Sequence, residues 1–380
     1  RERCMVAGKP IHIGCEDARR FLVGHLGLRR DRSRGGARGV RDLLADLRCI
    51  QLDPLDRIGT NADLVAFARV PGITRGDVYS HLLPGHAFEH MAKERCLLPA
   101  AAFPYYRERM VAGYRHRWDG ILDLSEALLS EVLAEIGERG PIAQTELSDR
   151  GRLTPPRDAW LRDTIPTNSV AVEKLWNRAQ VVVCGRAGNT KLYDVPERAL
   201  PDVHDVEPTL EFDRWALLER VEAAGLMAMT AGPQWKVIEE ARTSDLPQEM
   251  VAEGLLEMVT VEGSPRKYLA PAGFVTRDLP DDDGRMRILD ALDPLVWDRK
   301  LVQQIFDFDY VWEVYKPKAK RIWGYYVCPI LHRGRIVGRF EGRYSDGRLE
   351  VEQLWVEDGA EFDDQAWRTA LERHETALGS

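Results

Sequence analysis

The sequence lacks the marks of a membrane protein, a zinc site or a disulfide scaffold. No stretch approaches the roughly 18 consecutive apolar residues that a membrane span needs. The six cysteines are scattered without CxxC or Cys/His spacing, which favours a reducing cytoplasm. The net charge of -8 does not indicate a nucleic-acid binder. Any surface that binds nucleic acid must therefore be a local patch of positive charge.

Signatures of nucleotide and ester chemistry are also missing. The sequence contains no P-loop and no GxSxG elbow. Gly35 and Gly36 do not follow a strand at the spacing of a dinucleotide fingerprint. We therefore predict no cofactor.

Positive charge is concentrated in short runs. One run contains Arg32 and Arg34, and another contains Lys318, Lys320 and Arg321. A single run of this kind is more often a solvated face. Basic runs separated by acidic linkers are more typical of contacts to backbone phosphates, so we predict that these five residues contact the DNA backbone.

An order of helices followed by a hairpin recurs along the chain. Residues 123–195 predict three helices and then strands at 180–184 and 191–195, which is the element order of a winged helix-turn-helix. Residues 212–271 repeat this order, and residues 14–115 look like an elaborated copy. Three unrelated helical bundles are the alternative.

From about residue 286 the pattern changes to strands with tight turns, which predicts a small β domain. The predicted fold class is mainly α with small β-sheets (α+β), as three tandem winged helix-turn-helix units plus a C-terminal β domain. Local patterns also predict a helix within residues 229–240 and a strand at 311–315. The predicted boundaries are 10–118, 119–205 and 206–284 for the three units and 285–380 for the β domain.

Residues 49–54 bring two polar side chains together. In a strand, Gln51 and Asp53 share one face and Leu52 points the other way. Pro54 favours extended backbone at Asp53. Taken alone, a Gln-x-Asp pair is more often a set of surface polar residues before a turn.

Longer segments of the sequence resemble the crosslink-repair DNA glycosylases of the YcaQ/AlkZ type, a family of tandem winged-helix proteins. The resemblance is carried by IQLDPLDRIGTNADLVAFARV, AFEHMAKERCLLPAAAFPYYRERM and LDPLVWDRKLVQQIFDFDYVWEVYKPKAKRIWGYYVCPIL. It covers roughly residues 14–360. Its most specific part is the C-terminal block, where DPLVWDR, FDFDY, KPKAKR and GYYVCP occur in the order and spacing of the family.

The resemblance implies a catalytic Gln-hydrophobic-Asp signature at Gln51, Leu52 and Asp53. Relatives specialised for a producer's own toxin often carry Gln-hydrophobic-Gln, so the form found here is similar to the general branch. The sequence departs from the family just after the signature, where an Arg and paired His are replaced by GTNAD at residues 59–63. That departure bears on the substrate range more than on the reaction class.

The implied reaction is hydrolysis of the N-glycosidic bond of alkylated purines, N7-alkylguanine adducts and interstrand crosslinks included, leaving an abasic site. Alkylation makes the base a good leaving group, so the enzyme has mainly to stabilise an oxocarbenium-like sugar and place a water. Asp53 would supply negative charge and accept a proton, and Gln51 would orient the water. Residues 49–61 contain no lysine, which predicts a monofunctional enzyme unless folding brings a distant lysine to the site.

Five further residues are candidates for contacts to the lesion or to DNA: Asp56, Arg57, Asn61, His86 and His90. The two histidines are four residues apart, but no HExxH motif or carboxylate triad completes a ligand set, so no metal site is predicted. Histidines of the core are the more frequent alternative.

The predicted partner is double-stranded DNA with alkylated or crosslinked purines, bound by a monomer in the cytoplasm near the nucleoid, with no membrane partner. A hairpin that enters DNA is expected at the turn 185–189, 262–266 or 332–335. Two rival hypotheses are open. A non-catalytic winged-helix regulator explains the fold but not the Gln51/Asp53 pair, and a self-resistance glycosylase dedicated to one genotoxic natural product shares the chemistry.

Overall fold

A computed structural model describes residues 9–111, 124–154, 163–188 and 190–379. The chain forms two compact units, and it leaves the first for the second more than once. Unit 1 comprises Arg1–Val78, Met91–Cys96 and Ala216–Ser380, and unit 2 comprises Tyr79–His90 and Leu97–Trp215. The division predicted from the sequence, at 10–118, 119–205, 206–284 and 285–380, stays a prediction.

Helices and small sheets both contribute to the described residues, so the fold is mixed α+β, as predicted. Polar caps fix the start of several helices: Ser125 Oγ accepts the N–H of Leu128 at 3.2 Å, and Asp298 Oδ1 accepts the N–H of Leu301 at 3.0 Å. The α-helices are α1 (Cys15–His25), α2 (Gly36–Leu47), α3 (Asn61–Phe67), α4 (Asp77–Leu82), α5 (Phe103–Val111), α6 (Glu126–Arg139), α7 (Thr167–Asn177), α8 (Pro196–Ala199), α9 (Phe212–Ala224), α10 (Leu246–Ala252), α11 (Arg299–Phe306) and α12 (Asp364–Gly379). Among the described residues, none of these helices has the length and apolar character needed to cross a membrane.

The strands are short except in the C-terminal part of the chain. They are β1 (Ile11–Ile13), β2 (Ile50–Gln51), β3 (Ala87–Met91), β4 (Arg95–Pro99), β5 (Ile142–Ala143), β6 (Arg152–Leu153), β7 (Ile165–Pro166), β8 (Val182–Ala187), β9 (Thr190–Asp194), β10 (Met227–Ala228), β11 (Leu256–Val261), β12 (Lys267–Pro271), β13 (Arg287–Ile288), β14 (Val327–His332), β15 (Arg335–Ser345) and β16 (Arg348–Val356).

Unit 1 contains two four-stranded sheets. The first has the order β1-β11-β12-β10, in which β1 pairs parallel with β11 and the hairpin β11–β12 is antiparallel. The second is an antiparallel meander in the order β13-β14-β15-β16. In unit 2 the helices α6 and α7 precede the hairpin β8–β9, whose strand β9 also pairs with β5. The predicted hairpins at 180–195 and 259–269 and the strands after residue 324 are therefore confirmed.

Two predicted elements are wrong. Residues 229–240 form no α-helix, because Gly232 and Pro233 interrupt the pattern and β10 just before it pairs with Leu269 and Tyr268 of β12. Residues 311–315 form no strand. The carboxylate of Glu313 instead turns inward and accepts backbone N–H groups. The predicted β domain also contains α11 and α12, so the C-terminal part of the chain is a sheet with helices.

Helix α12 returns from the C-terminal part to the segment that follows the Gln-x-Asp signature. Arg75 N donates to Ala377 O at 2.9 Å, and His374 Nε2 lies 2.7 Å from Ile58 O. Gly59 has φ +112, and a Cβ added there would lie 3.3 Å from the side chain of Leu378. The signature segment is thus braced by a helix more than three hundred residues later in the chain.

Candidate active site

The Gln-x-Asp signature lies at the end of the short strand β2 in unit 1. Ile50 is buried, whereas Gln51 and Asp53 are half-buried. Leu52 N donates to Arg95 O at 2.8 Å, which holds the strand end beside β4. The backbone just after β2 is therefore fixed at Leu52 by the neighbouring strand.

Asn61, the first residue of α3, holds the backbone of the signature from inside the protein. Its Nδ2 donates to Gln51 O, and its Oδ1 accepts the N–H of Asp53 at 3.0 Å. The side chain has no solvent exposure. A single buried amide therefore fixes the peptide groups on both sides of Leu52.

Lys93 is the residue of the candidate site that the sequence did not reveal. Its Nζ donates to Oε1 of Gln51 at 2.8 Å and lies 5.0 Å above the ring of Trp297. Burial lowers the pKa of Lys93. An ammonium group only donates hydrogen bonds, so it faces Oε1 and directs the Nε2 of Gln51 away from itself. The two residues are 42 positions apart, and no spacing rule links them.

Asp53 is held by its own turn. Its Oδ1 accepts the N–H of Leu55 at 2.9 Å, which is the bond of an Asx turn. Tyr315 lies within its electrostatic reach: partial loss of water raises the pKa of the Tyr315 hydroxyl, and the charges of Asp53, Tyr325 and Glu94 raise it further. Tyr315 therefore belongs to the surroundings of the signature carboxylate.

The other polar residues after the signature are engaged in ion pairs. Asp56 is paired with Arg75, and Arg57 NH2 lies 2.9 Å from Glu352 Oε2. Both pairs are partly exposed, so each contributes little to stability and is open to exchange for another charged partner. Their predicted contacts to the lesion stay a prediction.

Asp63 lies two residues after Asn61 and is fully buried. Burial raises the pKa of its carboxyl to about 6, although hydrogen bonds from Thr60 and Gly76 oppose the rise. Thr60 Oγ1 lies 2.8 Å from Asp63 Oδ2 and caps α3. These contacts order the start of the helix that carries Asn61.

The two candidate histidines belong to unit 2. His90 is buried in a ring cluster: its centroid lies 4.8 Å from Trp176 and 4.6 Å from Tyr106, and its Nε2 lies 3.2 Å from Trp176 O. His86 is exposed. The described parts of the chain contain no group of three or more His, Cys, Asp or Glu that could hold a metal ion.

The two predicted phosphate-contact runs differ in their ionic partners. Arg32 pairs with Asp46 at 2.8 Å, and Arg34 lies 3.8 Å from Asp42. Residues 312–323, which we call the basic loop, carry the second run. Lys318 and Lys320 of this loop are exposed and have no ion-pair partner among the residues that the structure describes. Arg321 donates from Nε to Lys316 O at 2.8 Å within the loop.

A family model and a solved structure that are similar to this chain both belong to DNA glycosylases of the AlkZ type. A family model described as DNA glycosylase AlkZ-like matches residues 44–379, a span that includes the signature, Lys93 and the basic loop. Among solved structures, Streptomyces sahachiroi DNA glycosylase AlkZ is similar in fold, with a TM-score of 0.57, 18% sequence identity and coverage of 97% of each chain.

Proposed function

The chain belongs to the AlkZ-like DNA glycosylase family, and from that premise we propose that it releases alkylated purines from double-stranded DNA by water attack at C1′ of the sugar. The proposal includes N7-alkylguanine adducts and interstrand crosslinks, and it takes the enzyme as a monomer. Family membership makes the chain a DNA glycosylase, so the hypothesis of a non-catalytic regulator is wrong.

The hydrogen bond between Lys93 and Gln51 is the observation that carries the mechanism. Lys93 Nζ donates a hydrogen bond to Oε1 of Gln51. The Nε2 group of Gln51 is therefore the part of the amide that can donate to a water oxygen. Because Oδ1 of Asp53 accepts the N–H of Leu55, we assign Oδ2 as the atom that accepts a proton from this water. One side chain then orients the nucleophile and the other activates it.

The carboxylate of Asp53 has a second task in this mechanism. The sugar develops positive charge as the bond between C1′ and the alkylated base breaks, and a fixed negative charge nearby stabilises that state. The alkylated purine is cationic before the reaction and departs as a neutral base. A general acid for the leaving group is therefore unnecessary, which agrees with a signature built from an amide and one carboxylate.

We assign no covalent step to Lys93. A lysine that attacked C1′ of the abasic sugar would form an imine and lead to strand cleavage by elimination. In this site the amine donates to Gln51 and packs over Trp297, contacts that suit an ionic anchor. The proposed product is thus an intact strand with an abasic site, as the sequence predicts.

Product analysis on defined duplexes tests the proposal. One duplex carries a single N7-methylguanine and a second carries an N7-linked interstrand crosslink. We expect both to yield strand breaks only after alkali, and we expect borohydride to trap no protein–DNA adduct.

An exposed carboxylate in the acidic segment 278–283 supplies the matched control. Asp278→Asn makes the same change of charge as Asp53→Asn at an exposed position and should excise at the wild-type rate. Absence of base release from both duplexes would contradict the proposed reaction. A borohydride-trapped adduct that disappears in Lys93→Met would contradict the monofunctional mechanism alone.

A further inference from the structure

Two large apolar side chains of the basic loop extend into solvent. Tyr315 is 82% exposed and Ile322 is 76% exposed, the highest values for large apolar residues in the described parts of the chain. Scattered apolar residues on a surface are ordinary, but two on one short loop beside a candidate site are not. The loop therefore presents an apolar surface that a partner can cover.

The backbone of the basic loop is held in one shape by Glu313. This buried carboxylate accepts Ile322 N at 2.8 Å and Trp323 N at 2.7 Å through Oε2, and it accepts Lys316 Nζ at 2.9 Å through Oε1. Burial favours the neutral acid, but these hydrogen bonds lower the pKa of Glu313 to about 2. The two ends of the loop are thus tied together by a charge that persists at neutral pH.

Further contacts order the loop and one of its two exposed apolar side chains, Tyr315. Lys320 N donates to Pro317 O at 2.8 Å, which closes a turn inside the loop. The ring of Trp312 lies edge-on to Tyr315 at 5.6 Å between centroids. The guanidinium of Arg321 lies 4.8 Å above the ring of Tyr325. The loop backbone that carries the apolar side chains is consequently ordered before a partner covers it, which lowers the entropic cost of binding.

The charge of the loop indicates the class of partner. Lys316, Lys318, Lys320 and Arg321 place four cations within six residues of a chain whose net charge is -8. Such local charge favours a polyanion, and an exposed aromatic ring and an exposed aliphatic side chain among cations favour one with flat apolar faces. Unstacked bases flanked by phosphates have this combination.

The hairpin turns expected to enter DNA lack suitable side chains. The turns at 185–189, 262–266 and 332–335 contain no large apolar residue. Proteins that separate base steps do so with apolar wedges such as Phe, Leu, Ile or Met. The basic loop has such residues, and Tyr315 is within electrostatic reach of Asp53.

We propose that the basic loop is the wedge of this enzyme, with Tyr315 and Ile322 packed on base faces exposed at the lesion and Lys318 and Lys320 on the flanking phosphates. This inference rests on the proposed function, because it takes damaged DNA as the substrate. It assigns to the loop the recognition of a distorted duplex, a task separate from bond cleavage. A nucleotide that is covalently tied to the opposite strand cannot rotate out of the helix, so a wedge that separates base steps suits a crosslinked substrate.

Binding to a duplex with a stable abasic analogue tests the wedge without requiring catalysis. The duplex carries 2-aminopurine next to the analogue, so its fluorescence rises when the neighbouring bases unstack. Tyr315→Ala with Ile322→Ala should bind this duplex roughly 5- to 150-fold more weakly per lost stacked base, with little change on an undamaged duplex. The fluorescence rise should disappear in this double variant.

Matched variants separate stacking from general loss of apolar surface. Tyr315→Trp should retain the fluorescence rise, since it preserves a flat ring. Val275→Ala removes another exposed apolar side chain, 62% exposed, from a different part of the chain and should bind as the wild type does. Unchanged lesion binding and fluorescence in the double variant would overturn the wedge, whatever the outcome of the excision assay.

Binding to anionic vesicles that contain phosphatidylserine tests whether the loop binds a lipid surface instead of DNA. The wild-type protein should bind these vesicles no better than the double variant does. Tyr315- and Ile322-dependent vesicle binding, together with unchanged lesion binding, would assign the loop to a lipid surface and overturn the proposal. Failure of the wild-type enzyme to release any base would count against the proposed function. The difference in lesion binding between the wild type and the double variant would still test the wedge.

Discussion

The strand end that carries Gln51 and Asp53 and the basic loop are ordered by opposite means. In the strand end, the side chains of Gln51 and Asp53 themselves are held, the first by Lys93 and the second by the N–H of Leu55. In the basic loop, the backbone is held by Glu313 while the side chains that extend from it are left exposed.

The difference agrees with the task that we propose for each region. Chemistry gains from polar atoms that need no rearrangement in the transition state, so fixed side chains favour rate. Binding gains from groups that are desolvated or neutralised only by the partner, so exposed side chains favour affinity. Changes in the strand end should therefore alter the rate at saturating protein, and changes in the loop should alter affinity.

Asp53→Asn should give the largest effect. The variant keeps the shape of the side chain and the Asx turn but removes the charge and the proton acceptor, so single-turnover excision should fall by roughly 10²–10⁴-fold. DNA affinity should stay at the wild-type value by anisotropy. Excision near the wild-type rate would show that the catalytic base lies elsewhere.

Gln51→Ala should follow closely. Loss of a positioned polar group in an active site typically costs on the order of 10²–10³-fold in rate. The measurement is single-turnover excision at saturating protein, with thermal unfolding as a check on folding. A wild-type rate would make Gln51 a structural residue and leave the water unassigned.

Lys93→Met should slow excision less, because the lysine acts through Gln51. A hydrogen bond to a charged group contributes about 1.5–3 kcal/mol, which corresponds to a loss of roughly ten- to a hundredfold. Lys93→Arg preserves a donor and should recover part of the rate. The decisive measurement is the double variant with Gln51→Ala, which should be no slower than Gln51→Ala alone. Additive losses would mean that Lys93 works independently.

Reversal of charge should affect the basic loop more than the first basic run. Lys318→Glu with Lys320→Glu should make the slope of log K against log salt shallower by about 2, since each phosphate contact contributes about 0.9. Arg32→Glu with Arg34→Glu should change it less, because Asp46 and Asp42 neutralise these residues already. Excision at saturating protein should stay unchanged in both. Equal slopes for all proteins would identify both runs as solvated faces.

Chelation should have the smallest effect of all. The proposed mechanism uses an amide, a carboxylate and a lysine, none of which requires a metal ion. EDTA should leave the excision rate unchanged. Loss of activity in EDTA that added zinc restores would contradict this mechanism and make the histidines of unit 2 candidate metal ligands.

Local sequence patterns predicted much of the fold. Helices α6, α7 and α9 have apolar periodicity and clear ends, and the hairpins β8–β9 and β11–β12 have β-branched strands around turn residues. Helix α12 was not predicted, although Trp367, His374 and Leu378 recur at helical spacing. The strand at 311–315 failed because Glu313 is satisfied by N–H groups up to eleven residues away, a tertiary contact that overrides β propensity.

The candidate site was predictable only in part. Gln51 and Asp53 are close in sequence, but the expected strand through Asp53 is wrong, because β2 ends at Gln51 and Asp53 lies in the turn that follows. Lys93 escaped detection because a lone lysine in a loop carries no signal of the side chain that it will meet after folding. Asn61 was singled out as a polar residue near the signature, but its burial and its two backbone bonds depend on packing around α3.

The brace of α12 on the segment after the signature sets an order of events during synthesis. Residues 51–60 leave the ribosome long before residues 364–379, because domains emerge from the N-terminal end first. The bond between His374 and Ile58 joins positions 316 apart, so the braced form of the signature segment requires that α12 has been synthesised. A nascent chain would therefore carry basic surfaces before it carries a braced signature.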